Sequence, residues 1–157
     1  MSTTSTAPFP DKAYVQELFL GLFGSGLEVT ESDAPVSDLS KSIAAFYVDD
    51  SGEPQRALVC DLAFSNSTGA ALTMIPPGVV KDAIKDGEIP GNVMANLNEV
   101  LNICVNLFAE TSDKHLVLGE ILNLGEVPAK LAEITQHASF DVKVPRYGSG
   151  VVSLVAF

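Results

Sequence analysis

Residues 91–111 read GNVMANLNEVLNICVNLFAET, and an α-helix wound through this stretch separates its side chains into an apolar half and a polar half. The apolar half contains Val93, Met94, Leu97, Val100, Leu101, Cys104, Val105, Leu107 and Phe108. The polar half contains Asn92, Asn96, Asn98, Glu99, Asn102, Asn106 and Glu110. We therefore predict one long helix over residues 91–111, with its apolar half against the protein core.

The asparagines of the polar half need a separate explanation. Asn inside a helix costs up to about 0.7 kcal/mol more than Ala, because its short amide competes for backbone hydrogen bonds. Asn92 suits the N-cap position, where such a bond is useful. Asn96, Asn98, Asn102 and Asn106 have no such role, so they indicate a function other than helix stability. We predict that Asn92, Asn96, Asn98 and Asn106 form a partner-binding face.

Composition restricts the class of protein. A chain of 157 residues with 46% hydrophobic content is typical of one domain with a substantial core. We expect a flexible N-terminal tail over residues 1–10 and a single domain over residues 11–157. The formal net charge of -11 disfavours binding to nucleic acid and to anionic membranes.

Three further features of the sequence predict the cellular location of the protein. The two cysteines, Cys60 and Cys104, form no CxxC motif, and both lie in apolar segments typical of buried thiols. The first residues lack the pattern of a signal peptide. No apolar run approaches the roughly 20 residues that span a bilayer. These features predict a cytoplasmic protein.

Residue patterns elsewhere predict the remaining elements. A helix is expected from Asp11 to the Gly24-Ser25-Gly26 segment that ends it, and a loop is expected over residues 30–40. Strands are expected at 43–48, 56–64, 70–75, 115–122, 140–144 and 150–157, with 56–64 and 70–75 forming a hairpin around 65–69. Short helices are expected at 79–85 and from 128 to about 137. The prediction is an α+β fold in which two main helices cover a mostly antiparallel sheet.

Several common types of active site do not fit this sequence. His115 and His137 are far apart and lack metal-ligand spacing, so a zinc site is not expected. No P-loop or dinucleotide-binding fingerprint occurs. We therefore expect no metal site and no cofactor in this chain.

Glu99 and Asn102 are the candidate catalytic residues. They are spaced i, i+3, so they project from neighbouring turns of one helix face. A carboxylate can pair with a lysine of a partner, and a carboxamide can both donate and accept, so it can orient a water molecule. Hydrolysis of an acyl phosphate needs such positioning more than a strong base. The alternative from spacing alone is that both residues are merely solvated.

The motif Glu99-Val100-Leu101-Asn102 and the order of elements resemble the CheC/CheX/FliY family of CheY-phosphate phosphatases, most closely its CheX-like branch. The resemblance implies that Glu99 binds a lysine of the response regulator and that Asn102 enters the regulator's active site and orients the attacking water. It implies that Mg²⁺ belongs to the regulator, and that this chain has one site and forms a homodimer. The family often has Asp or Ser four residues before the Glu, where this chain has Ala95.

Three hypotheses follow. The chain is a phosphatase for a phosphorylated receiver domain in chemotaxis or related two-component signalling. Alternatively, it is a non-catalytic docking module of the same fold in a signalling or flagellar-switch assembly. In the third hypothesis, the asparagine face is a homodimer contact.

Overall fold

The computed structural model describes residues 9–36, 38–128, 131, 134 and 136–157. Its helices are α1 (Lys12–Phe23), α2 (Leu62–Leu72), α3 (Pro77–Asp86) and α4 (Gly91–Ile103), with 3₁₀ turns at Leu39–Lys41 and Cys104–Phe108. Its strands are β1 (Glu28–Ser32), β2 (Ile43–Val48), β3 (Pro54–Cys60), β4 (Val117–Leu122), β5 (His137–Val144) and β6 (Gly148–Ala156). Residues 1–8 of the predicted tail lie outside the described residues.

The six strands form one sheet in the order β1-β5-β6-β3-β2-β4, and every neighbouring pair is antiparallel. The main apolar core lies between one face of this sheet and the helices. A smaller cluster on the opposite face includes Val36, Val59, Val127 and Val155. The predicted α+β class with an antiparallel sheet is confirmed.

Helix α2 replaces the predicted hairpin. The sequence predicts a strand at 70–75 after a turn at 65–69, but residues 65–72 belong to α2, which ends at Leu72. The helix begins after Asp61, whose carboxylate accepts a hydrogen bond of 2.7 Å from the N–H of Phe64. Small polar residues that usually favour turns are therefore part of a capped helix.

The buried polar side chains of α2 bond partly within their own helix and partly to other segments. The hydroxyl of Ser65 donates to the carbonyl of Asp61 at 2.8 Å, and that of Thr68 donates to the carbonyl of Phe64 at 2.8 Å. Both bonds reach back one turn, so neither hydroxyl is left unpaired when water is excluded. Phe64 of the same helix is fully buried in the main core, so α2 lies at the centre of the domain with small polar side chains beside a large aromatic one.

Two glycines let other elements approach α2 closely. A Cβ added at Gly69 would lie 2.6 Å from the backbone oxygen of Val93 in α4. A Cβ added at Gly150 of β6 would collide with the backbone nitrogen of Phe64. Helix α2 therefore lies directly against both α4 and β6 because these positions lack side chains.

Other predicted boundaries also differ from the structure. The 30–40 loop contains the end of β1 and a 3₁₀ turn. Strand β1 (EVTES) is mostly polar because it lies at the sheet edge and buries only Val29. The strand predicted at 56–64 ends at Cys60, and the strand predicted at 115–122 begins at Val117. Half of the residues of the helix predicted from Pro128 to about 137 lie outside the described residues, and His137 begins strand β5.

The long helix is shorter than predicted. Helix α4 ends at Ile103, and residues Cys104–Phe108 continue as a 3₁₀ turn, a tightening that is common at helix ends. The predicted apolar side is confirmed, because α4 buries Val93, Leu97, Val100 and Leu101. No helix in the described part of the chain combines the length and apolar character that crossing a membrane requires.

Substitution of Gly69 tests the close contact between α2 and α4. Gly69→Ala should lower the free energy of unfolding by about 1–3 kcal/mol, because the added methyl group must displace the α4 backbone. The control is Gly21→Ala. Gly21 is an exposed residue of α1, and a Cβ added there has nothing within 4 Å. That change should raise stability by up to about 1 kcal/mol. Urea unfolding measures both values, and equal effects of the two substitutions would contradict this packing.

Candidate functional site

The solvent-facing side of α4 is a convex surface made of small and polar side chains. Its exposed residues are Asn92, Ala95, Asn98, Glu99 and Asn102, and we call this set the α4 ridge. Because the opposite side of α4 is buried in the core, the ridge is a fixed part of the surface. A rigid helix can present its side chains to a partner with little loss of entropy.

Glu99 and Asn102 lie next to each other on this ridge. They are about 4.5 Å apart along the helix axis and about 60° apart around it, as their spacing in an α-helix requires. Within the described ranges, neither side chain has a hydrogen bond or ion pair with another residue. A carboxylate and a carboxamide are thus presented to solvent side by side.

Asn92, Asn98 and Asn106 are also exposed. Asn92 is not the N-cap, because α4 begins at Gly91 directly after Pro90. Its side-chain oxygen instead accepts a 3.0 Å bond from the N–H of Val93 within the first turn. Asn106 lies beyond the end of α4, in the 3₁₀ turn.

Asn96 has a different environment from the other asparagines. Its half-buried amide nitrogen donates to the carbonyl of Gly69 at 2.9 Å and to the hydroxyl of Thr73 at 2.7 Å. Both acceptors belong to α2 or its C-cap, so Asn96 ties α4 to α2. This contact explains why an amide occurs at position 96. From the sequence alone, Asn96 is predicted only to bind a partner.

The buried side chain of Tyr47 holds the backbone near the C-terminal end of α4. Its hydroxyl donates a 2.6 Å bond to the carbonyl of Leu101, the residue before Asn102, and its ring lies 5.3 Å from that of Phe108. Burial raises the pKa of this phenol well above its usual value, so the group stays a neutral donor. Tyr14 similarly donates to the carbonyl of Asn106 at 2.9 Å. Sequence reasoning identified neither contact.

The cysteines are not candidates for nucleophilic catalysis. Cys60 and Cys104 are both free and buried, as the sequence predicted. Burial raises the pKa of both thiols, that of Cys104 to about 12, and a protonated thiol is a poor nucleophile. Among the described residues, no group of three or more His, Cys, Asp or Glu is placed to hold a metal ion.

Solved structures with the same arrangement of elements were found by comparison. The FliM middle domain from H. pylori aligns with a TM-score of 0.63 and 8% identity, covering 92% of this chain and 84% of that chain. A chain of the H. pylori FliM–SpeE complex aligns with a TM-score of 0.63 and 7% identity, covering 92% and 80%. A chain of the CheX–CheY–BeF3–Mg²⁺ complex from Borrelia burgdorferi aligns with a TM-score of 0.56 and 13% identity, covering 94% of both.

This chain has the CheX and FliM middle-domain fold. The likeness inferred from the E-x-x-N motif and the element order is thereby confirmed for the fold. No protein-family model and no curated protein sequence matches the chain. Because the identities are 7–13%, the comparison concerns architecture, and the roles of Glu99 and Asn102 have to be argued from their own geometry.

Alanine substitutions should separate the structural asparagine from those on the ridge. Asn96→Ala should cost about 1–3 kcal/mol, because it removes two hydrogen bonds and leaves the Gly69 carbonyl without this donor. Asn98→Ala should gain up to about 0.7 kcal/mol, because Ala is the better helix former. Urea unfolding of the two variants measures the difference. A gain in stability for Asn96→Ala would contradict its assigned role.

Proposed function

We propose that this protein docks its α4 ridge onto a phosphorylated receiver domain of a response regulator and promotes hydrolysis of the aspartyl phosphate. The observation that carries the proposal is the adjacent placement of Glu99 and Asn102. Both are exposed on a helix held rigidly by its buried side, and neither has a side-chain partner within the described residues. The likeness to a chain of the CheX–CheY–BeF3–Mg²⁺ complex supports a receiver domain as the partner.

In this proposal, Asn102 positions the water. Its side-chain oxygen accepts a hydrogen bond from the water, and its amide N–H donates to a phosphoryl oxygen. The water oxygen then attacks phosphorus, and the bond between phosphorus and the aspartyl oxygen breaks with its electron pair left on the carboxylate. The two protons of the water leave with inorganic phosphate. The leaving group is already good, so alignment of the attacking water supplies most of the rate increase.

Glu99 anchors the complex by pairing with a lysine of the receiver domain. A neutral amide at Asn102 suits the point of insertion, because a second carboxylate would be repelled by the phosphoryl group.

We propose that the Mg²⁺ ion belongs to the receiver domain, where it neutralises charge on the phosphoryl oxygens, and that this chain supplies no metal ligand. The reduced, buried cysteines fit a cytoplasmic location.

The likeness to the FliM middle domain favours a second candidate function. The same ridge would then bind its partner without accelerating hydrolysis, as a docking module in a signalling or flagellar-switch assembly. The two candidates use the same surface and differ only in whether a water is activated in the complex. A rate measurement separates them.

The test is release of phosphate from receiver domains encoded in the same genome, each phosphorylated with acetyl phosphate and mixed with a catalytic amount of this protein. For one receiver domain, the rate should rise. Asn102→Ala should reduce the increase by about 10- to 100-fold, because the water is no longer held in line. Glu99→Ala should raise KM more than it lowers the maximal rate.

Asn123→Ala is the matched control, since Asn123 is exposed and lies after β4, outside the ridge. It removes the same amide and should leave the rate unchanged. If Asn102→Ala stays folded and retains full acceleration, the phosphatase proposal is wrong. Binding without any acceleration by the unmodified protein would support the docking module instead.

A further inference from the structure

Helix α2 ends in an arrangement that normally requires glycine. The N–H of Ile75 donates to the carbonyl of Ala70 at 2.9 Å, and that of Met74 donates to the carbonyl of Ala71 at 3.3 Å. This pair of bonds defines a Schellman motif in which Met74 takes the left-handed position, with φ of 58°. Glycine occupies this position most often, because a Cβ there is crowded by the backbone.

Burial of the Met74 side chain offsets little of this strain. It is 74% exposed, more than Ile84, Val117 or Phe157, the other large apolar side chains with high exposure in the described ranges. Neither backbone preference nor core packing therefore accounts for methionine here. A strained residue that contributes no packing is more often found at a functional surface.

Hydrogen bonds fix the residues on both sides of Met74. On one side, the hydroxyl of Thr73 accepts the 2.7 Å bond from Asn96 of α4. On the other side, the carbonyl of Ile75 accepts a 2.6 Å bond from the hydroxyl of Tyr147. Asn96 is one helical turn before Glu99, so the exposed Met74 follows directly after a residue that contacts α4 near the ridge.

We propose that Met74 is an apolar anchor of the same interface and inserts into an apolar depression of the receiver domain beside its phosphorylated aspartate. This inference rests on the function proposed above. The α4 ridge offers one charge and several amides but no large apolar side chain, whereas binding energy in protein interfaces is concentrated in a few well-packed anchors. Methionine suits this role because its flexible thioether adapts to the shape of a pocket.

The test uses substitutions in which stability and binding are expected to change in opposite directions. Met74→Gly relieves the left-handed strain, so its melting temperature should be equal to or higher than that of the unmodified protein. Asparagine also tolerates the left-handed conformation. Met74→Asn therefore tests whether weaker binding of Met74→Gly comes only from the added flexibility of its backbone. Both variants should bind the receiver domain at least about tenfold more weakly, while Met74→Leu should bind with nearly unchanged affinity.

The probe is the receiver domain whose dephosphorylation is accelerated, held with beryllium fluoride and Mg²⁺, and the readout is Kd from titration calorimetry. Phe157→Ala is the control: it removes an exposed apolar side chain that stacks on Phe46, away from the ridge, and should leave Kd unchanged. Unchanged Kd for Met74→Gly and Met74→Asn, while Asn102→Ala abolishes acceleration, would overturn the role of Met74 alone. If the unmodified protein neither binds nor acts on any receiver domain, both proposals fail.

Discussion

The close contact between α2 and α4 is the constraint on which the rest of the structure depends. It requires a residue without a Cβ at position 69, where the backbone of Val93 lies within the reach of any larger side chain. It also requires that polar residues of α2 be buried, and the bonds of Ser65 and Thr68 to carbonyls one turn earlier lower the cost of that burial. Once α2 lies between α4 and β6, the orientation of α4 on the domain is determined.

The position of the α4 ridge follows from this orientation. One side of α4 is committed to the core and another is bonded to α2 through Asn96, so the remaining side faces solvent as a rigid ridge. Tyr47 and Tyr14 hold the backbone just before and just after the end of the helix. Glu99 and Asn102 are therefore presented with little freedom of backbone movement. Such preorganisation is what a water-positioning role requires, because misplacement by an ångström lowers the rate of an aligned reaction steeply.

Much of this fold could be predicted from sequence, and the exceptions have physical causes. The two halves of α4 followed from periodicity, because burial imposes that periodicity. Strand β2 followed from its β-branched and aromatic residues before a turn. Helix α2 was mistaken for a hairpin because Ser65, Asn66 and Gly69 are typical turn residues. Their burial depends on bonds and close approaches that only the three-dimensional arrangement reveals. For the same reason, sequence could group Asn96 with Asn98 but could not separate a tie between helices from a solvent-facing amide, nor place Met74 beside them.

The central claim is that the α4 ridge enters the phosphorylation pocket of a receiver domain. The most direct measurement is the NMR signal of the Asn102 side-chain amide during titration with that receiver domain. The account predicts a large shift or broadening of this resonance when the receiver carries beryllium fluoride and Mg²⁺, and a much smaller change with the unmodified receiver. An unchanged Asn102 resonance in a complex that perturbs a different face of the protein would contradict it.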